Sequence, residues 1–221
     1  MTVWTALGVA AAAYLIGSVP IGVIVVRVTT GKDVLSQYSG RTGGTNVMRT
    51  AGIWAGLVTG IGDLLKGYAA VALARQIAPT PDWLHVVAGV LAVLGHNHSI
   101  FLPERRDGRL RLRGGAGGAS SVGAAIAMSP VVAYLILLVP VLLFGIGYAS
   151  VTTLTVGLLA TGVFLYQAAR GLGPWAYVGY GIAVEVLMAL ALRPNLIRLA
   201  RGEERVVGWR ARRKGGNGTG G

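Results

Sequence analysis

Apolar residues form seven long runs along the chain, separated by shorter polar segments. Most of these runs approach the roughly 20 residues that a helix needs to cross the hydrocarbon core of a bilayer. The runs occupy residues 3–26, 53–75, 83–101, 117–128, 130–147, 151–168 and 174–192. This pattern predicts an all-α, polytopic membrane protein with about seven transmembrane helices.

The number of crossings depends on residues 117–147, which form either two short spans or one long tilted helix interrupted at Ser129-Pro130. Lys and Arg accumulate on the cytoplasmic side of membrane proteins, so their positions can decide between the two. Three clusters, within 27–49, 105–113 and 193–214, hold 17 of the 20 Lys and Arg residues. All three lie on one side only if the chain crosses twice within 117–147. We therefore predict seven crossings, with the N-terminus outside and the C-terminus cytoplasmic.

The composition supports a membrane protein and excludes several other classes. The hydrophobic fraction is 53% and the mean hydropathy is +0.63, which is typical of a polytopic membrane chain. The net charge of +12 does not predict nucleic-acid binding, because the basic residues flank apolar runs instead of lining one soluble face. The chain has no cysteine, which excludes disulfides, thiolate metal sites and thiol nucleophiles.

The chain has one predicted domain. The first apolar run lacks a basic segment before it, so we expect a retained helix and not a cleaved signal peptide. Residues 1–204 are predicted to form a single integral-membrane domain, followed at 205–221 by a basic and then Gly-rich tail. No internal repeat is evident, which argues against inverted-repeat transporter folds.

A polar segment at 38–49 lies between the first two apolar runs. Glycine lets the backbone approach an anion closely, and Arg presents a planar fork that matches phosphate oxygens. The segment therefore predicts a phosphate site at the membrane surface. Its candidate residues are Ser39, Arg41, Thr45, Asn46 and Arg49. A solvated loop with topogenic arginines is an equally good interpretation of this segment alone.

A second segment, 113–121, is rich in glycine and leads directly into an apolar run. Unpaired backbone N–H groups at a helix N-terminus favour anions, so the segment predicts an anion-binding loop. Its candidate residues are Gly114, Gly115, Gly117 and Gly118. Considered alone, such a run more often serves as a hinge or allows close helix packing.

A third segment, 193–204, follows the last apolar run. Asn195 and Arg198 are three residues apart and share a face of a helical turn, and Glu203 follows Gly202 at the predicted helix end. These residues are candidates for substrate binding. Considered alone, the segment is better interpreted as a basic helix that contacts anionic lipid.

A few ionisable residues lie within or beside the predicted spans. Asp63 and Lys66 are three residues apart, so they can pair inside the second span, in a structural or a catalytic role. Glu185 is a lone carboxylate in the last span. His96 and His98 end the third span without a neighbouring carboxylate, so we predict no metal site.

Together and in this order, the segments resemble the bacterial integral-membrane glycerol-3-phosphate acyltransferases that use acyl-phosphate as donor (the PlsY family). The resemblance covers nearly the whole chain, to about residue 204. The first family motif is similar to Ser39-Gly40 through Arg49. The second motif is similar to Gly95-His96 with Gly114, Gly115 and Gly117, and the third to Asn195, Arg198, Leu199, Gly202 and Glu203.

The resemblance implies transfer of a fatty acyl group from acyl-phosphate to the 1-hydroxyl of glycerol 3-phosphate. The products would be lysophosphatidic acid and phosphate, in the first step of phospholipid synthesis at the bacterial plasma membrane. No cofactor is implied. The implied catalytic residues are Ser39, Arg49, His96 and Asn195. The implied substrate-binding residues are Arg41, Thr45, Asn46, Lys66, Gly114, Gly115, Gly117, Gly118, Arg198 and Glu203.

The sequence departs from the family pattern at several positions. Ala116 replaces a lysine between the second-motif glycines, Arg41 replaces an asparagine, Leu192 replaces a histidine, and an Arg-rich insertion covers 103–113. One hypothesis is that Arg41 or an inserted arginine restores the missing charge. Two alternatives stay open: an acyltransferase with another polyol-phosphate acceptor, and a phosphate- or lipid-binding transporter. The oligomeric state is not predicted.

Overall fold

The structure, a computed structural model, describes residues 2–207 and consists mainly of helices. The α-helices are α1 (Val3–Ser18), α2 (Ile21–Thr30), α3 (Gly44–Ala51), α4 (Ile53–Ile77), α5 (Asp82–Asn97), α6 (Gly118–Met128), α7 (Leu138–Gly145), α8 (Ala149–Ala169) and α9 (Trp175–Ala200). Short 3₁₀ helices span Val34–Ser36 and Pro130–Leu137. Most of the predicted basic, Gly-rich tail at 205–221 lies outside the described residues, so the tail stays a prediction.

All seven apolar runs are helical in the structure, but they differ in length. Four segments are long and apolar enough to cross a membrane: α1 with α2, α4, α8 and α9. Helix α6 and the segment from Pro130 to the end of α7 are apolar but shorter, and α5 has 16 residues. A polytopic helical membrane fold is therefore observed, whereas the count of seven crossings and the side of each terminus stay predictions.

Proline determines two of the helix boundaries. Pro20 lies between α1 and α2, and Pro130 follows the extended residue Ser129 at the end of α6. Proline has no backbone N–H and its ring clashes with the preceding helical turn, so a helix normally ends before it. The run 117–147 accordingly forms separate helices instead of one long tilted helix.

The prediction of an all-α fold requires one correction, because the Arg-rich insertion forms a β-hairpin. Strand β1 (Pro103–Arg106) pairs antiparallel with β2 (Arg109–Leu112). The turn between them is Asp107-Gly108, and both residues have positive φ. An Asp-Gly pair suits the two-residue turn whose twist matches that of a hairpin.

Glycines bring the helices close enough to assemble the site. Gly67 of α4 lies against the backbone of Ser120, and Gly123 of α6 lies against the backbone of Leu64, so a side chain at either position would meet main-chain atoms. Gly17 of α1 makes a similar contact with α5. Small residues of this kind allow close helix packing in membranes. The middle of α4 is thereby held against the first turns of α6, and α1 against α5.

Candidate active site

The loop before α3 is organised by the buried side chain of Asn46. Its amide nitrogen donates to the carbonyl oxygens of Val34 (3.2 Å), Gln37 (3.2 Å) and Arg41 (2.8 Å). Its amide oxygen accepts from the backbone N–H of Ser39 at 3.3 Å. Asn46 thus pairs with the backbone N–H and C=O groups of the loop that carries Ser39 and Arg41. Its amide nitrogen already donates to protein carbonyl oxygens.

Ser39, Arg41 and Arg49 lie together along one side of a pocket. The backbone N–H of Ser39 is held by Asn46, and within the described chain its hydroxyl has no hydrogen-bond partner. Arg41 donates to the carbonyl oxygen of Ala191 in α9, and Arg49 donates to the carbonyl oxygen of Arg205 at 3.2 Å. The first predicted motif therefore supplies a free hydroxyl and two anchored guanidinium groups.

The opposite side of the pocket is formed where α9 ends and the chain reverses. Gly202 adopts φ +72°, its N–H donates to Leu199 O at 3.0 Å, and the N–H of Glu203 donates to Arg198 O at 2.8 Å. These are the paired hydrogen bonds of a Schellman motif, which terminates a helix at a left-handed glycine. The reversal returns Glu204 to the side of α9.

Glu204 is the carboxylate of the pocket, and only 5% of it is exposed. Its Oε1 accepts from Asn195 Nδ2 at 2.8 Å and from Ser150 Oγ at 3.4 Å, while Oε2 lies 3.7 Å from Arg198 Nε. The predicted residue Glu203 is exposed and does not line the pocket. The backbone reversal therefore places Glu204, and not Glu203, in the lining of this pocket, and a substrate-binding role for Glu203 stays a prediction.

The pocket has a volume of about 200 Å³ and a strongly positive lining. It is lined by Tyr38, Ser39, Arg41, Arg49, Pro194, Asn195, Arg198, Glu204 and Arg205. Four guanidinium groups therefore face one carboxylate. A small dianion bound here would reduce the repulsion between the cations.

Burial and neighbouring positive charges lower the pKa of two of these guanidinium groups. Burial lowers the pKa of Arg41 below its ordinary value, the charge of Arg198 lowers it further, and Glu204 opposes the shift. Burial likewise lowers the pKa of Arg49, with Arg205 adding to the effect. In both cases burial is the larger cause of the lowered pKa and the neighbouring guanidinium group the smaller one.

Two residues that line the pocket each have a buried oxygen atom without a hydrogen-bond donor in the described part of the chain. Asn195 Oδ1 and Glu204 Oε2 lack a hydrogen-bond partner among the described residues. A buried oxygen without a donor costs free energy, so a ligand that brings hydroxyl hydrogens would satisfy both atoms. The pocket is therefore suited to a ligand that combines a phosphate with neighbouring hydroxyl groups.

The glycine-rich loop packs beside the first motif but does not line the pocket. The N–H of Thr42 donates to Gly114 O at 3.3 Å, and the N–H of Gly115 donates to His96 O at 2.9 Å. A side chain at Gly115 would meet the imidazole of His96, and Gly117 begins α6 in a left-handed conformation. These glycines allow close packing against the end of α5. An anion-binding role for Gly114, Gly115, Gly117 and Gly118 stays a prediction.

His96 and Lys66 belong to a buried charged cluster behind the glycine loop, outside the pocket. Asp63 Oδ1 lies 2.9 Å from Lys66 Nζ and 3.5 Å from His96 Nδ1, and all three side chains are buried. Lys66 Nζ also donates to Val19 O at 2.9 Å, between α1 and α2. The predicted Asp63–Lys66 pair is observed, and His96 joins it. Thr45 is half-buried in α3 and also does not line the pocket.

Arg113 is a structural residue of the site that the sequence motifs do not identify. Its Nη2 donates to the carbonyl oxygens of Leu35 (2.9 Å) and Gly40 (2.8 Å) in the first-motif loop. Its Nη1 lies 3.2 Å from Glu104 Oε1 in β1. Arg113 therefore connects the inserted hairpin to the loop that carries Ser39. Tyr38 and Arg205 were also missed as lining residues, and the Arg205 guanidinium lies 5.8 Å from the centre of the Tyr38 ring.

The fold and the pocket define a helical integral membrane protein with a polar, strongly cationic pocket beside the C-terminal end of α9. The helices expose many large apolar side chains, as lipid-facing helices do, and the pocket collects the charged and polar groups. In the described residues, no group of His, Cys, Asp and Glu side chains is arranged to hold a metal ion.

Comparison with known proteins identifies the family. The family model for glycerol-3-phosphate acyltransferase matches residues 7–202. A glycerol-3-phosphate acyltransferase from Thermus thermophilus is 39% identical over 216 residues, covering 95% of this chain and 96% of the relative. One from Myxococcus xanthus is 36% identical over 193 residues, covering 87% and 94% of the two chains. The chain belongs to the glycerol-3-phosphate acyltransferase family, and the resemblance noted in the sequence is confirmed.

Solved structures agree with this assignment. The crystal structure of PlsY (YgiH), an integral membrane glycerol 3-phosphate acyltransferase, in its glycerol 3-phosphate form matches with a TM-score of 0.77 and 29% identity. It covers 92% of this chain and 96% of PlsY. The lysophosphatidic acid form matches with a TM-score of 0.75, 29% identity and coverages of 92% and 95%. The predicted location as an integral protein of the bacterial plasma membrane is confirmed.

Proposed function

We propose that this protein transfers a fatty acyl group from acyl-phosphate to the 1-hydroxyl of glycerol 3-phosphate and releases lysophosphatidic acid and phosphate. The observation that carries the proposal is the pocket itself. Four guanidinium groups surround two buried oxygen atoms that lack hydrogen-bond donors among the described residues. A phosphate fits the guanidinium groups, and polyol hydroxyls fit the two oxygens.

Each side of the pocket has a role in this reaction. Arg41, Arg49 and Arg198 bind phosphate oxygens by charge-assisted hydrogen bonds. Asn195 Oδ1 and Glu204 Oε2 accept hydrogen bonds from the acceptor hydroxyls and orient the attacking oxygen. The PlsY crystal structures in glycerol 3-phosphate and lysophosphatidic acid forms support an acceptor and a product of this chemistry.

The chemical step is a direct transfer. The acceptor hydroxyl attacks the carbonyl carbon of the mixed anhydride, a C–O bond forms, and the bond to the leaving phosphate breaks. An oxygen atom of the leaving phosphate accepts the proton of the attacking hydroxyl, and the proton departs with the released phosphate. The pocket contributes by positioning the reactants and by stabilising the negative charge on the carbonyl oxygen and the leaving phosphate.

Ser39 acts in this proposal as a hydrogen-bond donor to the reacting carbonyl and not as a nucleophile. A serine nucleophile normally needs an adjacent base. Among the described residues, His96 contacts Asp63 and does not contact Ser39. The acyl-phosphate donor is already activated, so an acyl-enzyme intermediate is not required.

The test is product analysis with purified protein in lipid nanodiscs, given palmitoyl phosphate and glycerol 3-phosphate. Lysophosphatidic acid and free phosphate should appear together in equal amounts. Replacing the donor with a palmitoyl thioester tests the donor, and replacing the acceptor with other polyol phosphates tests the acceptor. Transport of labelled glycerol 3-phosphate into sealed vesicles without phosphate release would contradict the proposal and favour the transporter alternative.

A further inference from the structure

The β-hairpin formed by β1 and β2 carries arginines on both of its faces and leucines on one of them. Opposed residues of an antiparallel pair point to the same side, so the pairs Pro103–Leu112 and Arg105–Leu110 share one face. The pair Glu104–Arg111 lies on the other face, together with Arg109, two residues away along the strand.

Three arginines of this hairpin provide exposed positive charge. Arg105, Arg109 and Arg111 are exposed, and none of them makes an ion pair with a described side chain. Glu104 is already engaged by Arg113. The hairpin therefore presents at least three exposed positive charges outside the substrate pocket.

Large apolar side chains are exposed beside these cations. Leu110 is 67% exposed near the hairpin turn, and Ile100 and Phe101 are 49% and 54% exposed where the chain leaves α5. The last residue of α5 is Asn97, so these apolar residues lie just beyond the end of an apolar helix. Apolar side chains interleaved with arginines are typical of segments that lie in the headgroup region of a bilayer.

We propose that the hairpin docks on anionic phospholipid headgroups of the surrounding bilayer and makes the activity depend on anionic lipid. Leu110, Ile100 and Phe101 enter the headgroup–acyl boundary, while Arg105, Arg109 and Arg111 bind lipid phosphates. The combination of charge and exposed apolar surface fits a lipid surface better than a soluble acidic protein, which would leave the apolar residues uncovered.

Arg113 provides the connection from the hairpin to the substrate pocket. It bridges Glu104 in β1 to the carbonyl oxygens of Leu35 and Gly40, and that loop carries Ser39. A hairpin seated on lipid fixes Glu104 and thereby holds Arg113 and the loop. The effect on activity rests on the proposed function, whereas the docking does not.

Docking is tested with a fluorophore at the hairpin tip. The chain has no cysteine, so Leu110→Cys carries a single environment-sensitive label. In nanodiscs that contain phosphatidylglycerol, the label emission should shift to the blue and be quenched by brominated lipid; in pure phosphatidylcholine it should not. Each arginine near an anionic surface increases the affinity for anionic over zwitterionic lipid about fivefold. Removing three arginines should therefore reduce this lipid preference roughly 100-fold.

The matched variants separate charge from structure. The triple change Arg105→Gln, Arg109→Gln, Arg111→Gln should abolish the shift, and the corresponding triple Lys variant should retain it. High salt should weaken the shift, because the contacts are exposed. Equal emission in the two lipids would overturn the docking. So would a response to soluble polyglutamate without a response to anionic lipid, which would favour an acidic protein partner.

Activity is measured in the same nanodiscs. Anionic lipid should raise kcat/KM for the wild type and leave it unchanged for the triple Gln variant, which should keep its activity in phosphatidylcholine. Glu104→Ala should keep the fluorescence shift but lose the activation. A shift without activation of the wild type would overturn the coupling, and a shift without acyl transfer in either lipid would overturn the proposed function but support the docking.

Discussion

At the scale of single residues, Arg49 offers the simplest test of the pocket. It belongs to the first motif, lies against Arg205, and is anchored by only one described hydrogen bond, so its guanidinium remains available to a ligand. Arg49→Ala should remove a charge-assisted contact worth about 1.5–3 kcal/mol, which corresponds to a loss of about 10- to 100-fold in kcat/KM. The nearby exposed Arg201→Ala is the control and should be close to wild type. Equal kinetics for the two variants would contradict a binding role for Arg49.

The pair Glu203 and Glu204 provides a second test, because one is exposed and the other is buried. Glu204→Gln removes the only carboxylate of the described pocket lining and its charge contact with Arg198, so we expect about a 10- to 100-fold loss of kcat/KM, corresponding to about 1.5–3 kcal/mol. Glu203→Gln should have little effect. The measurement is acyl-transfer kinetics together with thermal unfolding of each variant. A larger effect at Glu203 would restore the interpretation made from the family motif.

Arg41 tests whether this chain has replaced a missing cation. It lines the pocket, whereas Ala116, at the family lysine position, lies in the neighbouring glycine loop and does not. Arg41→Gln should weaken glycerol 3-phosphate binding more than acyl-phosphate use, and Ala116→Lys should rescue it in part. A double-mutant cycle measures the coupling between the two positions. Purely additive effects would contradict the replacement hypothesis.

Residue types alone indicated several of the side chains that line the pocket, but not the contacts that each side chain makes. Asn46 was a reasonable phosphate ligand by type, but its amide stabilises the loop, since three carbonyl groups surround it in the folded chain. Arg113 was assigned to the topogenic cluster, and only the tertiary structure reveals its contacts with Leu35 and Gly40. Such assignments depend on contacts distant in sequence, which spacing does not encode.

At the scale of structural elements, the apolar runs and the Ser129-Pro130 break predict the helices, whereas the density of arginines gives no sign of the hairpin. The Asp107-Gly108 pair is a strong hairpin-turn signal. It was overlooked because the flanking residues are mostly arginines, which suggested a topogenic loop. In the third motif, the sequence does not tell which glutamate lines the pocket, because the Schellman turn at Gly202 determines that orientation.

The cluster at the junction of α4 and α5 tests how these elements are held together. Asp63→Ala would leave buried Lys66 without its partner, which typically costs about 3–5 kcal/mol of stability. Replacing both, with Asp63→Leu and Lys66→Met, should cost much less, because no unpaired charge remains. Thermal unfolding in detergent measures both effects. Equal destabilisation by the single and double variants would contradict an ion pair at this junction.

The same variants distinguish positioning from catalysis for His96. If His96 only orients the glycine loop through Gly115, the double variant should keep kcat/KM within about tenfold of wild type once it is folded. His96→Asn should raise KM for glycerol 3-phosphate more than it lowers kcat. A stable double variant with no activity would favour a direct chemical role for the Asp63–His96 pair.

At the scale of the whole molecule, the topology prediction requires the basic clusters to lie on one side of the helical bundle. The basic residues of the first and third motifs meet in one pocket, so 41–49 and 193–205 lie on the same side of the bundle. Arg113 joins the hairpin to the first-motif loop on that side as well. The structure therefore places described members of all three basic clusters on one side, as positive-inside counting expects, without specifying which side is cytoplasmic.

Cysteine labelling in oriented membranes tests which side of the membrane the basic clusters face. Single cysteines at the exposed positions Ser36, Leu110 and Glu203 should react with a membrane-impermeant maleimide in inside-out vesicles and not in intact spheroplasts. Cysteines at Thr80 and Leu172, also exposed, should react in spheroplasts, because they lie in connections at the opposite ends of the helices. Solubilised protein, in which all five positions should react, controls for accessibility. Labelling of Ser36 and Glu203 from opposite sides would exclude seven crossings, and it would also exclude the pocket, because both motifs must face the same compartment to bind one substrate.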